Sequence, residues 1–163
     1  MRRQRRASRD RRAAYFAVAG VDLEAEASRL RRLPVFAAGE LAGRPPTIRV
    51  RRARRRPNRL GFAVPDEWRV SVTAYPGIRP GDVRETLLHE LVHLHVGSEP
   101  GRRRWHGALF KETLRRAMAE GYGLVGVAPA SSLHGAYADA LEAFEARGRV
   151  ARAGVQLELP LAS

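Results

Sequence analysis

The chain has 163 residues, enough for one domain with a substantial core and short for two. A hydrophobic content of 44% argues against global disorder, and the lack of cysteine excludes disulfides, thiol nucleophiles and cysteine zinc ribbons. The net charge is +13, almost all from arginine because Lys111 is the only lysine; this favours an anionic partner, although codon bias also produces solvated arginine faces.

Residues 1–12 carry seven arginines and one aspartate and read as a flexible basic arm. The arm and Ala13–Val21 superficially imitate a signal peptide. The apolar stretch is short and leucine-free, however, and Asp22, Glu24 and Glu26 follow at once. No apolar run reaches about 18 residues, so no membrane partner is expected and a cytoplasmic location is the default.

Apolar spacing predicts a helix over Tyr15–Leu33, ended by Pro34. A short helix is expected over Val35–Leu41. Three strand-like runs follow, Thr47–Arg51, Leu60–Val64 and Trp68–Ala74. Short links predict an antiparallel meander, and alternation with arginine predicts one buried and one wet face. Asp82 reads as an N-cap with Glu85 as its capping-box partner, opening a helix that runs to Val96 and stops at Gly97. Further helices are expected over Trp105–Glu120 and Ser131–Arg147. The tail, 149–163, reads as loose, which leaves one domain over 13–148.

The run His89-Glu90-Leu91-Val92-His93 places H-E-x-x-H on the capped helix. Residues four apart stack one turn above each other, so both imidazoles can reach one metal ion. Glu90 is turned about 100° from His89 and can reach a metal-activated water without ligating the metal. Zinc brings the pKa of its water toward about 7; the carboxylate takes the proton and passes it to a leaving amine. The competing reading is an amphipathic helix with two surface histidines. Leu87, Leu88, Leu91, Val92 and Leu94 oppose it, because a helix apolar all round is buried, and buried polar groups need a partner.

A third ligand is required. Candidates are His95, Glu99, His106, Glu112 and Glu120. His95 lies about 240° round the helix from His89 and should face solvent or a supporting position. His106 follows a loop of twelve residues after His93 and opens a new helix that can fold back on the metal. Glu112 lies roughly opposite His106 on that helix, so one straight helix cannot supply both. His106 is the choice.

These residues, with Trp105-His106-Gly107-Ala108-Leu109-Phe110, resemble the SprT-like zincins, whose pattern is H-E-L-x-H, a short loop, then H-G-x-x-F. The resemblance covers 68–121 well and 47–121 plausibly. It implies an α+β, minimal zincin-type metallopeptidase domain: N-terminal helix, small antiparallel sheet, active-site helix and C-terminal helices. It further implies Zn2+ on His89, His93 and His106, Glu90 as general base, a protein or peptide substrate, and packing roles for Gly107 and Phe110. Some members of the family cleave proteins crosslinked to DNA. The cysteine ribbon that often follows the domain in longer members is missing, so nucleic-acid contact would fall to the arginines of 2–12, 49–59 and 102–104, the last group lying just before His106.

Substrate contacts are less legible. Trp68–Ala74 is the expected edge strand for an extended peptide. Tyr75, Tyr122 or an arginine are candidates for oxyanion contact, each more commonly packed or exposed. Trp105 and His134 have structural roles as their default. Three other readings compete: a basic nucleic-acid-binding protein with a structural metal, a three-histidine nuclease, and a repressor-cleaving zincin. The first two leave Glu90 without a task, and H-G-x-x-F disfavours the third. Oligomeric state is not encoded in any recognisable pattern.

Overall fold

The computed structural model describes residues 17–97, 106–125, 137, 139–143 and 146–147. The basic arm, the Arg102–Arg104 group, Glu99, Trp105, His134 and the tail lie outside them. The elements are β1 (Ala17–Val18), β2 (Val21–Asp22), α1 (Leu23–Leu30), a 3-10 turn at Pro34–Phe36, α2 (Glu40–Gly43), β3 (Thr47–Arg52), β4 (Gly61–Val64), a 3-10 turn at Pro65–Glu67, β5 (Arg69–Ala74), α3 (Pro80–Val96) and α4 (Ala108–Tyr122). The α+β class is as expected.

The long N-terminal helix is shorter than predicted. Its first part is a two-stranded hairpin, β1 with β2. The helix starts only at Leu23, where the Asp22 side chain accepts from the Ala25 N–H at 3.0 Å. The expected helix over Val35–Leu41 is likewise split between the 3-10 turn and α2, with Gly39 between them.

The sheet is mixed, not the antiparallel meander predicted, and its order is β3-β5-β4. β5 pairs parallel with β3 and antiparallel with β4. The chain makes this possible by carrying 53–60 across the end of β5. Ala53 N–H donates to Ala74 O at 2.9 Å, and Thr73 N–H donates to Leu60 O at 2.8 Å. Trp68–Ala74 is therefore the central strand, paired on both sides, and β4 and β3 are the edges.

Register sets the two faces. Ile48, Val70 and Ala63 form one row toward α3, and Val50, Val72 and Gly61 the next. Arg49, Ser71 and Phe62 lie on the other face. α3 covers the first face and is itself buried on every side: Leu87, Leu88, Leu91 and Val92 have no exposed surface. Each buried leucine contributes about 1.5–3 kcal/mol, so the helix that carries the motif is also the centre of the core.

The start of α3 differs in detail from expectation. Pro80 is the first helical residue and Arg79 the N-cap. Asp82 sits at the third position and accepts from the Arg79 backbone N–H at 3.3 Å and side-chain Nε at 3.1 Å. Proline at the first position needs no N–H partner, and the N-cap lies three residues upstream of the one expected, at Arg79 instead of Asp82. Gly97 ends the helix with φ at 67°, a conformation glycine adopts without strain.

Candidate metal centre

α3 presents His89 and His93 on one face, one turn apart, as i,i+4 spacing demands. His106 arrives from the turn just before α4. The three Nε2 atoms form a nearly equilateral triangle: 3.1 Å for His89–His93, 3.1 Å for His93–His106 and 3.2 Å for His89–His106. Phe110, one turn into α4, lies against all three rings, with centroids 4.9, 4.3 and 4.9 Å from His89, His93 and His106. It is 1% exposed and holds the imidazoles from one side, the packing role the resemblance implied.

The donor set fits a metal ion. An imidazole nitrogen has a single in-plane site, either N–H or lone pair. Three such sites facing one another cannot form three mutual hydrogen bonds, whereas one cation satisfies three lone pairs. Nitrogens at 2.0–2.1 Å from a tetrahedral zinc are separated by about 3.3 Å, close to the spacing here. The His106 pKa is lowered, first by burial and then by the charges of Lys111 and Arg59, which favours the neutral, ligating ring. Among the described residues no other group of His, Asp and Glu side chains converges in this way.

The other ligand candidates are elsewhere. His95 is half-buried, edge-on to Phe36 with centroids 5.1 Å apart, and packed so tightly on Gly39 that a Cβ there would lie 2.5 Å from its Nδ1. It is partly exposed and does not join the triangle, because its turn of α3 packs on the segment before α2. Glu112 is exposed and pairs with Arg115. Glu120 accepts from the Val35 N–H at 2.8 Å and ties α4 to the 3-10 turn. Tyr122, an oxyanion candidate, is buried with its hydroxyl donating to Glu26 at 2.6 Å, in the α1–α4 contact. Tyr75 lies in the link from β5 to α3 and is partly exposed.

Glu90 is 4% exposed. Burial pushes its carboxyl up to about 8, opposed by a backbone hydrogen bond from Ala63 and the charge of Arg59. The strand β4 thus runs beside the Glu90 side chain. Gly61 makes this possible: a Cβ there would sit 2.6 Å from Glu90 Oε1 and 2.6 Å from Thr86 Cγ2. Arg59, Gly61 and Ala63 were not singled out from the sequence. A glycine inside a strand run does signal close backbone approach, and Gly61 is such a glycine.

A model of the SprT-like family matches residues 36–132. The chain belongs to the SprT-like family. The match takes in α2, the whole mixed sheet, α3 and α4, so every residue of the triangle and Glu90 lie within it. No curated protein and no solved structure matches the chain. SprT-like membership together with the three-histidine cluster is compatible with a metal-dependent enzyme. No helix among the described residues is long and apolar enough to cross a membrane.

Proposed function

We propose that the chain is a zinc-dependent metallopeptidase in which His89, His93 and His106 hold the metal and Glu90 is the general base. The observation that carries this reading is the pairing of a three-imidazole triangle with a buried glutamate adjacent in sequence to one of its members. Three imidazoles suit zinc among the common divalent ions. When bound, zinc would supply Lewis-acid polarisation of the scissile carbonyl and an acidified water.

The residues of this chain do the rest. Glu90 takes a proton from the attacking water and returns it to the leaving amine. The Ala63 hydrogen bond and the close Gly61 backbone orient that carboxylate. β4, an edge of the sheet, is positioned to pair with an extended peptide alongside Glu90, giving main-chain recognition with little demand on sequence. A structural metal site or a nuclease gives Glu90 no such task.

The test is zinc content and peptide hydrolysis in three proteins. Wild type is expected to hold about one zinc per chain and to cleave an unfolded protein substrate. His106→Ala is expected to lose both. Glu90→Gln is expected to keep zinc and lose hydrolysis by about 10²–10⁴-fold. Full hydrolysis in Glu90→Gln, or a folded wild type that refuses zinc, would overturn the reading.

A further inference from the structure

The family match ends at residue 132, yet the core continues past it. Tyr137 and Leu141 have no exposed surface and belong to the same apolar cluster as α3 and α4. The Leu141 N–H donates to Tyr137 O at 2.8 Å, a helical i,i+4 bond that sets both side chains on one face. The carboxylates beside them go to one place, the start of α3. Glu142 Oε1 accepts from the Gly81 backbone N–H at 2.6 Å, and Asp139 Oδ1 accepts from Arg79 Nη1 at 2.9 Å. Gly81 is the second residue of α3, so its N–H has no partner inside the helix. A carboxylate there satisfies that donor and complements the positive end of the helix dipole.

The segment also reaches α4. Burial, then the charge of Glu85 on α3, push the Tyr137 phenol pKa up, and the charge of Arg115 on α4 opposes them. Tyr137 is therefore within reach of charged groups from both helices. Glu85 is 1% exposed and sits one turn before His89 on the same face of α3. The three ligands are divided between these two helices: His89 and His93 on α3, His106 in the turn that leads into α4. A group that fixes α3 against α4 thus fixes the third corner of the triangle.

We propose that Tyr137, Leu141 and Glu142 form a clasp that positions the metal ligands, holding α3 against α4 so that the three imidazoles are set before the metal arrives. A preorganised site needs little rearrangement on binding, and a site whose helices can shift loses that advantage. Linkage makes the effect reciprocal: docking of the clasp strengthens metal binding by the factor by which metal strengthens docking. The Asp139 side chain is 93% exposed, so its pair with Arg79 adds little. The weight falls on Glu142 and on the buried Tyr137 and Leu141. A purely structural segment would lower the melting temperature and leave the metal affinity of the folded chain unchanged. The clasp rests on the zinc reading of the triangle but not on peptidase activity.

The test is the zinc dissociation constant of the full chain, from competition with a chromogenic chelator, at a temperature where each variant is folded by circular dichroism. Glu142→Ala is expected to weaken zinc about tenfold, as removal of a group that orients a ligand does. Glu142→Gln, which keeps an acceptor but not the charge, is expected to lose less. Glu40→Ala removes an exposed carboxylate from α2 and, as the control, is expected to leave zinc affinity unchanged. Hydrogen exchange of wild type reads the reverse direction: zinc is expected to slow the amides of 139–143 at least about fivefold more than those of α1. If Glu142→Ala does not fold, Glu142→Gln and the wild-type exchange decide. Zinc held as tightly by the Glu142 variants as by wild type, or exchange of 139–143 untouched by zinc, would overturn the clasp and leave the zinc reading intact. A folded wild type that refuses zinc would overturn both.

Discussion

Gly61 and Glu90 occupy the same space to within one methyl group: a Cβ on Gly61 would stand 2.6 Å from Glu90 Oε1 and 2.8 Å from its Cγ. The strand backbone is thus pressed directly onto the side chain assigned as base. Gly61→Ala must push Glu90 or the strand aside. The expected outcome is a destabilisation of about 1–3 kcal/mol with zinc retained, and a fall in kcat of about tenfold or more, since misplacing a catalytic group by about 1 Å can cost 10²-fold. Steady-state kinetics beside zinc analysis checks this. Unchanged kcat would show that Glu90 tolerates the shift.

Zinc should stabilise the fold through its three ligands. At free zinc about 1,000-fold above its dissociation constant, the gain is about 4 kcal/mol. Thermal melting with chelator, then with zinc restored, should show a reversible fall and rise in wild type. His93→Ala should melt at the same temperature under both conditions.

Glu90 gives the zinc-free protein a distinctive pH response. Burial raises its folded pKa to about 8 from 4.5, so its contribution to stability is complete below pH 4.5 and lost as pH rises through about 8. Glu90→Gln removes that loss. Relative to wild type, the zinc-free variant should gain stability between pH 5 and 9, by an amount on the order of a few kcal/mol. Denaturant melts of both proteins in chelator check it; parallel pH profiles would show that Glu90 is solvated.

Glu26 has the opposite sign. Burial acts to raise its pKa, but hydrogen bonds from Arg29 and Tyr122 and the charges of Arg29 and Arg84 outweigh it, and the net shift is downward. Its contribution to stability is therefore present above pH 4.5 and lost as pH falls through the lowered folded value. Glu26→Gln should destabilise at pH 7 by about 1–3 kcal/mol, and the gap to wild type should narrow in acid. Melting curves from pH 7 down to 3 check this. Because the cluster joins α1 to α4 away from the triangle, zinc content should not change.

What the sequence determined by itself was whatever depends on near neighbours. The i,i+4 spacing of His89 and His93 puts both on one helix face in any tertiary setting, because the helical repeat alone fixes it. The apolar residues around that motif required burial, and α3 is the most buried helix. The alternation in 47–51 separated a more buried row from a wet one, but in 68–74 the expected wet row is buried too, with Ser71 and Thr73 each 5% exposed. His106 was chosen on loop length and on a family motif, and the structure brings it to the other two histidines.

Tertiary structure alone decided which strands are neighbours. Alternation says which side of a strand is buried but not what lies beside it, and the cost of routing 53–60 across β5 is repaid by contacts distant in sequence. That routing made Trp68–Ala74 central, left β4 as the edge beside Glu90, and set Arg51 and Arg59 on Phe62. It also enclosed His95, whose place in α3 gave no hint of Phe36 and Gly39. Local periodicity specified the ligands' helix; only non-local packing specified the surroundings in which Glu90 sits.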